Sequence, residues 1–487
     1  MMKIKTFILS CLLAFIAIHA NAYDYDFEVD GFKYLITSTA DLTVEVAYGP
    51  DKDVITIPST VVFNKRTFRV TGIGRFAFSD HENLTSVDMP SITYISDGEY
   101  KDSYGLKGAF SGCSKLSHVS MPAATSIGDN AFEGCDALAS VSMPAATSIG
   151  DYAFEGCDAL ASVSMLAAIS IGYDAFYGCK ALASVSMPAA TSIGAGAFEG
   201  CDALASVSMP AATSIGYDAF AYCDALASVS MPAATSIGGE AFKNCKALAS
   251  VSMPAATSID DFAFEGCEAL SSVSMLAAIS IGKSAFYGCK ALASVSMPAA
   301  TSIGERAFYG CNALASVSMP TATSIGEEAF LGCDALASVS MPAATSIDGG
   351  AFNYCKFLSD IYVGAEPASC YSTSFDKVTY ATATLHVPSG CTPKYKAADY
   401  WKNFSFISED YDPTGIKSTE IDDVEIHTNR GSIQLNGLKA GERVTFYALD
   451  GSILSTVTAH DGRVSYSAQP GQIVIVKYRS KSAKIFF

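Results

Sequence analysis

The sequence predicts a repeat solenoid, and three observations carry that reading. Cysteines stand at 113, 135, 157, 179, 201, 223, 245, 267, 289, 311, 333 and 355, each 22 residues from the last. Between them one word returns, as in Cys135-Asp-Ala-Leu-Ala-Ser-Val-Ser-Met-Pro-Ala-Ala-Thr-Ser-Ile-Gly-Asp-Tyr-Ala-Phe-Glu-Gly156. The apolar residues of each unit fall at strand spacing. One unit alone cannot bury them, so each has to stack on its neighbour.

The first 22 residues have the form of a secretory signal. Lys3 and Lys5 precede an apolar run from Phe7 to Ile18, and Ala20-Asn21-Ala22 supplies small residues for cleavage. Beyond them no stretch approaches the ~20 apolar residues of a transmembrane helix. An exported protein is expected.

Residues 23–74 are expected to form a β-rich N-terminal cap. Tyr25-Asp-Phe-Glu-Val, Phe32-Lys-Tyr-Leu-Ile, Thr43-Val-Glu-Val and Val54-Ile-Thr-Ile alternate apolar and polar residues. A solenoid end exposes unpaired strand groups and has to be covered. Gly74-Arg-Phe-Ala-Phe78 then matches the repeat, with His81 where later units have Cys. A polar insertion, roughly Asp97 to Leu106, reads as a loop.

The array is expected over 75–408, C-terminal cap included. In each unit Leu138-x-x-Val141-x-Met143 reads as a strand with Ser140 and Ser142 outward, ended by Pro144. Thr147-Ser-Ile149 reads as a second extended piece, Gly150 as a turn, and Ala153 to Cys157 as one helical or 3₁₀ turn. Leu138, Val141, Met143, Ile149, Phe154 and Cys157 form the inward set. About 15 rungs at ~4.8 Å each give a rod of roughly 70 Å. Ser164-Met-Leu-Ala-Ala-Ile-Ser-Ile-Gly returns at Ser274, so a five-unit block lies over the short period. The aromatics from Lys394 to Phe406 suit the C-terminal cap. Residues 409–420 read as a linker. Residues 421–487 read as a small β-sandwich, with turn signals at Asn436-Gly, Asp450-Gly, Asp461-Gly and Pro470-Gly.

The words Ile-Gly-x-x-Ala-Phe-x-Gly-Cys-x-x-Leu-x-x-Val-x-Met-Pro resemble the leucine-rich repeat of BspA-like bacterial surface proteins. The Asp26-Phe-Glu-Val-Asp-Gly start and Trp401 add to the likeness, which covers roughly 24–408. The units here run one residue shorter than is usual. The resemblance implies a right-handed leucine-rich-repeat-like superhelix with a parallel β-sheet and short helical turns, and a role in adhesion. Residues 448–454 and 470–476, with Lys484, resemble the sorting domain of type IX secretion substrates. Together the likenesses imply the outer surface of a Bacteroidetes-like bacterium.

Composition narrows the function. Hydrophobic residues are 50% and charged residues 16%, too apolar for a disordered chain. A net charge of -18 excludes a nucleic-acid backbone as partner, which needs clustered Lys and Arg. There is no His-Glu-x-x-His, Gly-x-Ser-x-Gly, phosphate loop or Cys-x-x-Cys, so no enzyme and no cofactor are expected. Stacked cysteines ~4.8 Å apart fit disulfides poorly, and a single column cannot build a tetrahedral zinc site. Buried free thiols are expected. Cys370 and Cys391 lie outside that register, and a disulfide between them stays open. His81, His118, His386, His427 and His460 are scattered and read as structural or solvated.

Two surfaces remain as candidates for a protein or glycan partner. The serine columns of the strand face offer one chemistry many times and suit a glycan. The edge after the Gly, Phe and Cys positions differs between units. It carries Tyr152, Tyr173, Tyr177, Tyr217, Tyr222, Phe262, Tyr287 and Tyr309 among acidic neighbours. Aromatic residues of that kind anchor protein interfaces. The competing readings are a structural spacer and unselected variation on a solvated edge.

Overall fold

The structure, a computed structural model, describes residues 25–100, 106–411, 419–421, 424–429, 432–447, 453–467, 473–478 and 481–486. The expected signal segment lies outside these residues. The chain forms a parallel β-solenoid of about 16 turns built from 22-residue repeats, followed by an antiparallel C-terminal region.

Each rung has three sides. The strand Ser140–Ser142 pairs in parallel with Ser162–Ser164, Val141 opposite Val163. The strand Ser148–Ile149 pairs in parallel with Ser170–Ile171. The third side is a pair of single turns, in which Glu155 N–H donates to Tyr152 O (3.1 Å) and Cys157 N–H to Phe154 O (3.2 Å). Between them Tyr152 N–H and Phe154 N–H donate to the next rung, to Tyr173 O and Ala175 O at 2.8 Å. Alternating bonds within and between rungs keep these turns from growing into a helix.

The inward set is as expected. Leu138, Met143, Phe154 and Cys157 are fully buried, Val141 and Ile149 nearly so. Ala146 and Ala153 also have no exposure. Two columns organise this core. Phe78, Phe110, Phe132 and their successors through Phe375 stack with ring centroids 5.0–5.3 Å apart and planes within 9°. The cysteines are free and buried. Each donates its S–H to the Phe carbonyl of the preceding rung, as Cys157 Sγ to Phe132 O at 3.2 Å. Burial pushes these thiols up, Cys113 and Cys245 to about 12. His81, in the cysteine place, sets its ring edge-on to Phe78 at 5.6 Å.

The turn is made differently from the sequence expectation. Gly150 stays outside the left-handed region. The left-handed residues are Tyr152 (φ 58) and Gly156 (φ 66), two places after Gly and two after Phe.

The second strand column continues into the N-terminal segment, where Phe32–Ser38, Thr43–Tyr48 and Arg66–Ile73 join it as one 18-stranded sheet. At the other end Phe375 meets Trp401, Phe404 and Tyr380. Trp401 Nε1–H donates to Ala368 O at 2.7 Å, which fixes this aromatic lid on the last rungs. The additional rung is Phe406–Ser408, paired with Thr384–His386 inside the segment read as a cap. Glu409 and Asp410, read as linker, are pinned on that end: the Glu409 carboxylate accepts from Gly390 N–H and Thr392 N–H, both at 3.0 Å. The inserted loop begins and ends as a two-stranded pair, Glu99–Tyr100 with Leu106–Lys107, and 101–105 lie outside the described residues. The C-terminal strands form two four-stranded antiparallel sheets around one core that includes Val424, Ile433, Leu435, Val444, Phe446 and Val476.

Candidate binding surface

The turn side of the rod presents four variable columns, two in left-handed conformation and two beside them. Tyr152, Tyr222 and Phe262 occupy left-handed positions, at φ 58, 59 and 61. Tyr173 and Tyr217 follow the Gly, and Tyr177, Tyr287 and Tyr309 follow the Phe, all with ordinary φ. The eight candidates therefore enter the surface on two kinds of backbone. A non-Gly residue in the left-handed region costs roughly 1–2 kcal/mol. The distinction follows the register: the left-handed places lie two residues after the Gly or Phe position and the others one residue after it.

Stacking brings the candidates together locally. Tyr152 and Tyr173 meet edge to face at 5.2 Å. Tyr287 and Tyr309 stack at 4.8 Å. Phe262 lies under Lys243 Nζ, 5.7 Å from its ring centre. Tyr217 O–H donates to Glu240. Tyr177 and Tyr222 line a groove of about 400 Å³ with Glu155, Asp158, Lys180, Glu199 and Asp202. Tyr173, Tyr177, Tyr217 and Tyr222 are exposed, and Tyr152, Phe262, Tyr287 and Tyr309 are half-buried.

Stacking acids on one edge shifts their protonation. Burial, then the charges of Asp218, Asp174 and Glu240, push the Glu199 carboxyl up to about 7, against the pull of Lys243. Burial and Glu240 push Asp218 up to about 6. The Glu240 hydrogen bond raises the Tyr217 phenol to about 12. Burial opposes the charge on Lys243, but Glu240 at 2.5 Å and Glu265 at 3.6 Å hold it above its ordinary value. After the cysteines, Lys180, Lys246, Lys290 and Lys356 each reach one rung back to Asp158, Asp224, Glu268 and Asp334, at 2.7–3.1 Å. These exposed pairs are worth about 0–1 kcal/mol each. Their effect is to fix side-chain positions.

The strand face is uniform by comparison. A shallow groove of about 340 Å³ is lined by Ser206, Ser208, Ser228, Ser230, Ser250 and Ser252 with Val207, Val229 and Val251 between them. The face changes character at its C-terminal end, where Tyr362 and His386 follow Ser340 in register. His386 Nδ1 lies 2.7 Å from Asp410 Oδ1 and Nε2 lies 2.9 Å from Asp360 Oδ1, and its ring stacks on Tyr362 at 4.3 Å. From sequence His386 is one of five scattered histidines. Its partners are 26 and 24 residues away, and no local spacing joins them.

Cys370 and Cys391 both carry free thiols. Cys370 takes the place of the repeat isoleucine, opposite Ile347, with Sγ 3.8 Å from Asp399 O. Cys391 precedes the helix Thr392–Ala397, with Sγ 3.9 Å from Ser389 O. The bridge left open from sequence is not formed in this structure.

The profile described as BspA type leucine rich repeat region matches six copies over residues 59–107, 106–226, 169–283, 213–323 and 279–395. No curated protein matches the chain. Among solved structures, a leucine-rich repeat protein from Bacteroides ovatus is 26% identical over 69% of this chain and 94% of its own, with a TM-score of 0.49. A leucine rich cell surface protein from Faecalibacterium prausnitzii is 25% identical over 71% of this chain and 96% of its own, with a TM-score of 0.40. The pneumococcal vaccine antigen PcpA is 17% identical over 79% of this chain and 98% of its own, with a TM-score of 0.37. Among the described residues no helix is long and apolar enough to cross a membrane.

Proposed function

Because the chain belongs to the BspA-type leucine-rich repeat family, we propose that it is an exported, non-enzymatic surface protein that binds other proteins. The partner is a host matrix protein or a protein on another cell, and the binding surface is the turn edge. One observation carries this reading. The turn edge sets chemically different side chains beside one another, such as Tyr177, Tyr222, Glu199 and Lys180 around one groove. The serine face repeats a single chemistry. Only a surface that varies along its length can encode one partner, and buried aromatic anchors supply about 2 kcal/mol or more each at protein interfaces.

The test is a binding assay on purified matrix proteins with two triple variants. Tyr173→Ser, Tyr177→Ser and Tyr217→Ser together are expected to weaken binding at least 30-fold, the equivalent of about 2 kcal/mol. Ser184→Ala, Ser206→Ala and Ser228→Ala together are expected to leave it unchanged. The groove over Ser206–Ser252 supports a second reading, a glycan laid along the strand face. Loss of binding in the serine variant alone would favour it. Binding of neither class would leave a structural spacer. The two-sheet C-terminal region is proposed as the sorting domain. Deleting 416–487 is expected to abolish surface display, with the array still folded in the periplasm.

A further inference from the structure

Four apolar side chains of the array stand about half exposed to solvent. Leu166 and Ile169 are each 52% exposed, and Leu276 and Ile279 are 42% and 51% exposed. The other units from Pro122 to Thr345 place Pro and Thr at these positions. The repeat threonine has a use, since its hydroxyl donates to the carbonyl one rung back, as Thr147 Oγ1 to Thr125 O and Thr213 Oγ1 to Thr191 O, both at 3.1 Å. Ile169 and Ile279 have no hydroxyl, so they forgo that bond and hold alkyl groups in water. Both changes are unfavourable for a free rod.

We infer that the edge carrying these residues is where a second copy of the chain docks, about a twofold axis. Three features point to that occupant. The first is symmetry. A twofold contact places the same surface of each copy on the other, and it needs apolar groups in matched positions. Two identical Leu/Ile pairs five rungs apart, about 24 Å at ~4.8 Å per rung, supply them.

The second is charge. The turns that carry the pairs contain no charged residue in any unit from 122 to 345, in a chain of net charge -18. Two copies approach along this edge without setting like charges against each other. The opposite edge holds Glu155, Asp158, Glu199 and Asp202 and repels its own kind.

The third is area. Eleven rungs span about 50 Å and a four-residue turn about 12 Å, so each copy offers roughly 600 Å² and a pair buries about 1,200 Å², enough for a specific contact.

The variant that tests this restores the repeat's own residues: Leu166→Pro, Ile169→Thr, Leu276→Pro and Ile279→Thr. Neighbouring units already carry them, so the fold is kept. Sedimentation and light scattering of the protein at tens of micromolar are expected to give a mass near twice that of one chain, falling to that of one chain in the fourfold variant. Variants of one pair only, Leu166→Pro with Ile169→Thr or Leu276→Pro with Ile279→Thr, report the orientation. In an antiparallel dimer each is monomeric alone and the mixture regains dimer. In a parallel dimer each keeps a weakened dimer and the mixture gains nothing. A monomeric native protein, or a dimer that survives in the fourfold variant, overturns the inference.

Discussion

The phenylalanine column makes a prediction that can be counted. Phe242 is fully buried and stacks on Phe220 at 5.3 Å and on Phe264 at 5.2 Å. Phe264 stacks in turn on Phe286 at 5.2 Å. Ring pairs are worth about 0.5–1.5 kcal/mol beyond area burial. Phe242→Leu removes two pairs, about 1–3 kcal/mol in addition to its packing loss. Phe264→Leu removes two as well. The double variant removes three pairs and not four, because the two residues share one. Its cost is therefore expected to fall short of the sum by one pair, about 0.5–1.5 kcal/mol. Phe154→Leu with Phe264→Leu removes four separate pairs and is expected to be additive within about 0.5 kcal/mol. A long solenoid does not unfold in one step, so a single midpoint is the wrong measure. Hydrogen exchange followed by mass spectrometry over 132–286 gives the local opening free energy of these rungs. Additivity in the neighbouring pair would refute the reasoning and leave the rings as mere filling.

Three further outcomes follow from the same geometry. The twelve cysteines from Cys113 to Cys355 are expected to resist maleimide in the native protein and to label fully in denaturant; rapid labelling of several native thiols would contradict their burial. Glu199 and Asp218 hold protons to a higher pH when folded than when unfolded, so rungs 174–240 are expected to lose stability as pH rises from about 4 to 7. Hydrogen exchange at pH 5 and pH 7.5 measures this, and Glu199→Gln with Asp218→Asn is expected to flatten the difference. Gly178 has φ 67 and nothing within 4 Å of an added Cβ, so Gly178→Ala tests backbone conformation alone and is expected to cost about 1 kcal/mol by local exchange.

The period by itself determined most of the fold. A 22-residue interval places residue i beside i+22, so the stacked phenylalanines, the buried thiols and the outward serines all follow once the unit is aligned with itself. It also determined that the eight aromatic candidates share one edge, because all of them fall after the Gly or Phe positions. Contacts within a column are legible because strand spacing fixes them.

Tertiary structure decided what depends on dihedral angles and on chain returning from a distance. Register separates Tyr152, two places after Gly150, from Tyr173, one place after Gly172, but only the backbone shows that the second place is left-handed, at φ 58 in Tyr152 and φ 50 in Asp174. The thiol bonds to the Phe carbonyls run between rungs, across 25 residues in most cases, and depend on where the turn aims each Sγ. His386 meets Asp360 because Thr384–His386 stacks in parallel on Asp360–Val363, and it meets Asp410 because the further rung Phe406–Ser408 carries that carboxylate to Nδ1. Repetition fixes neighbours one period away. It says nothing about a segment that repeats nothing, and there the contacts are set by how the end of the rod is closed.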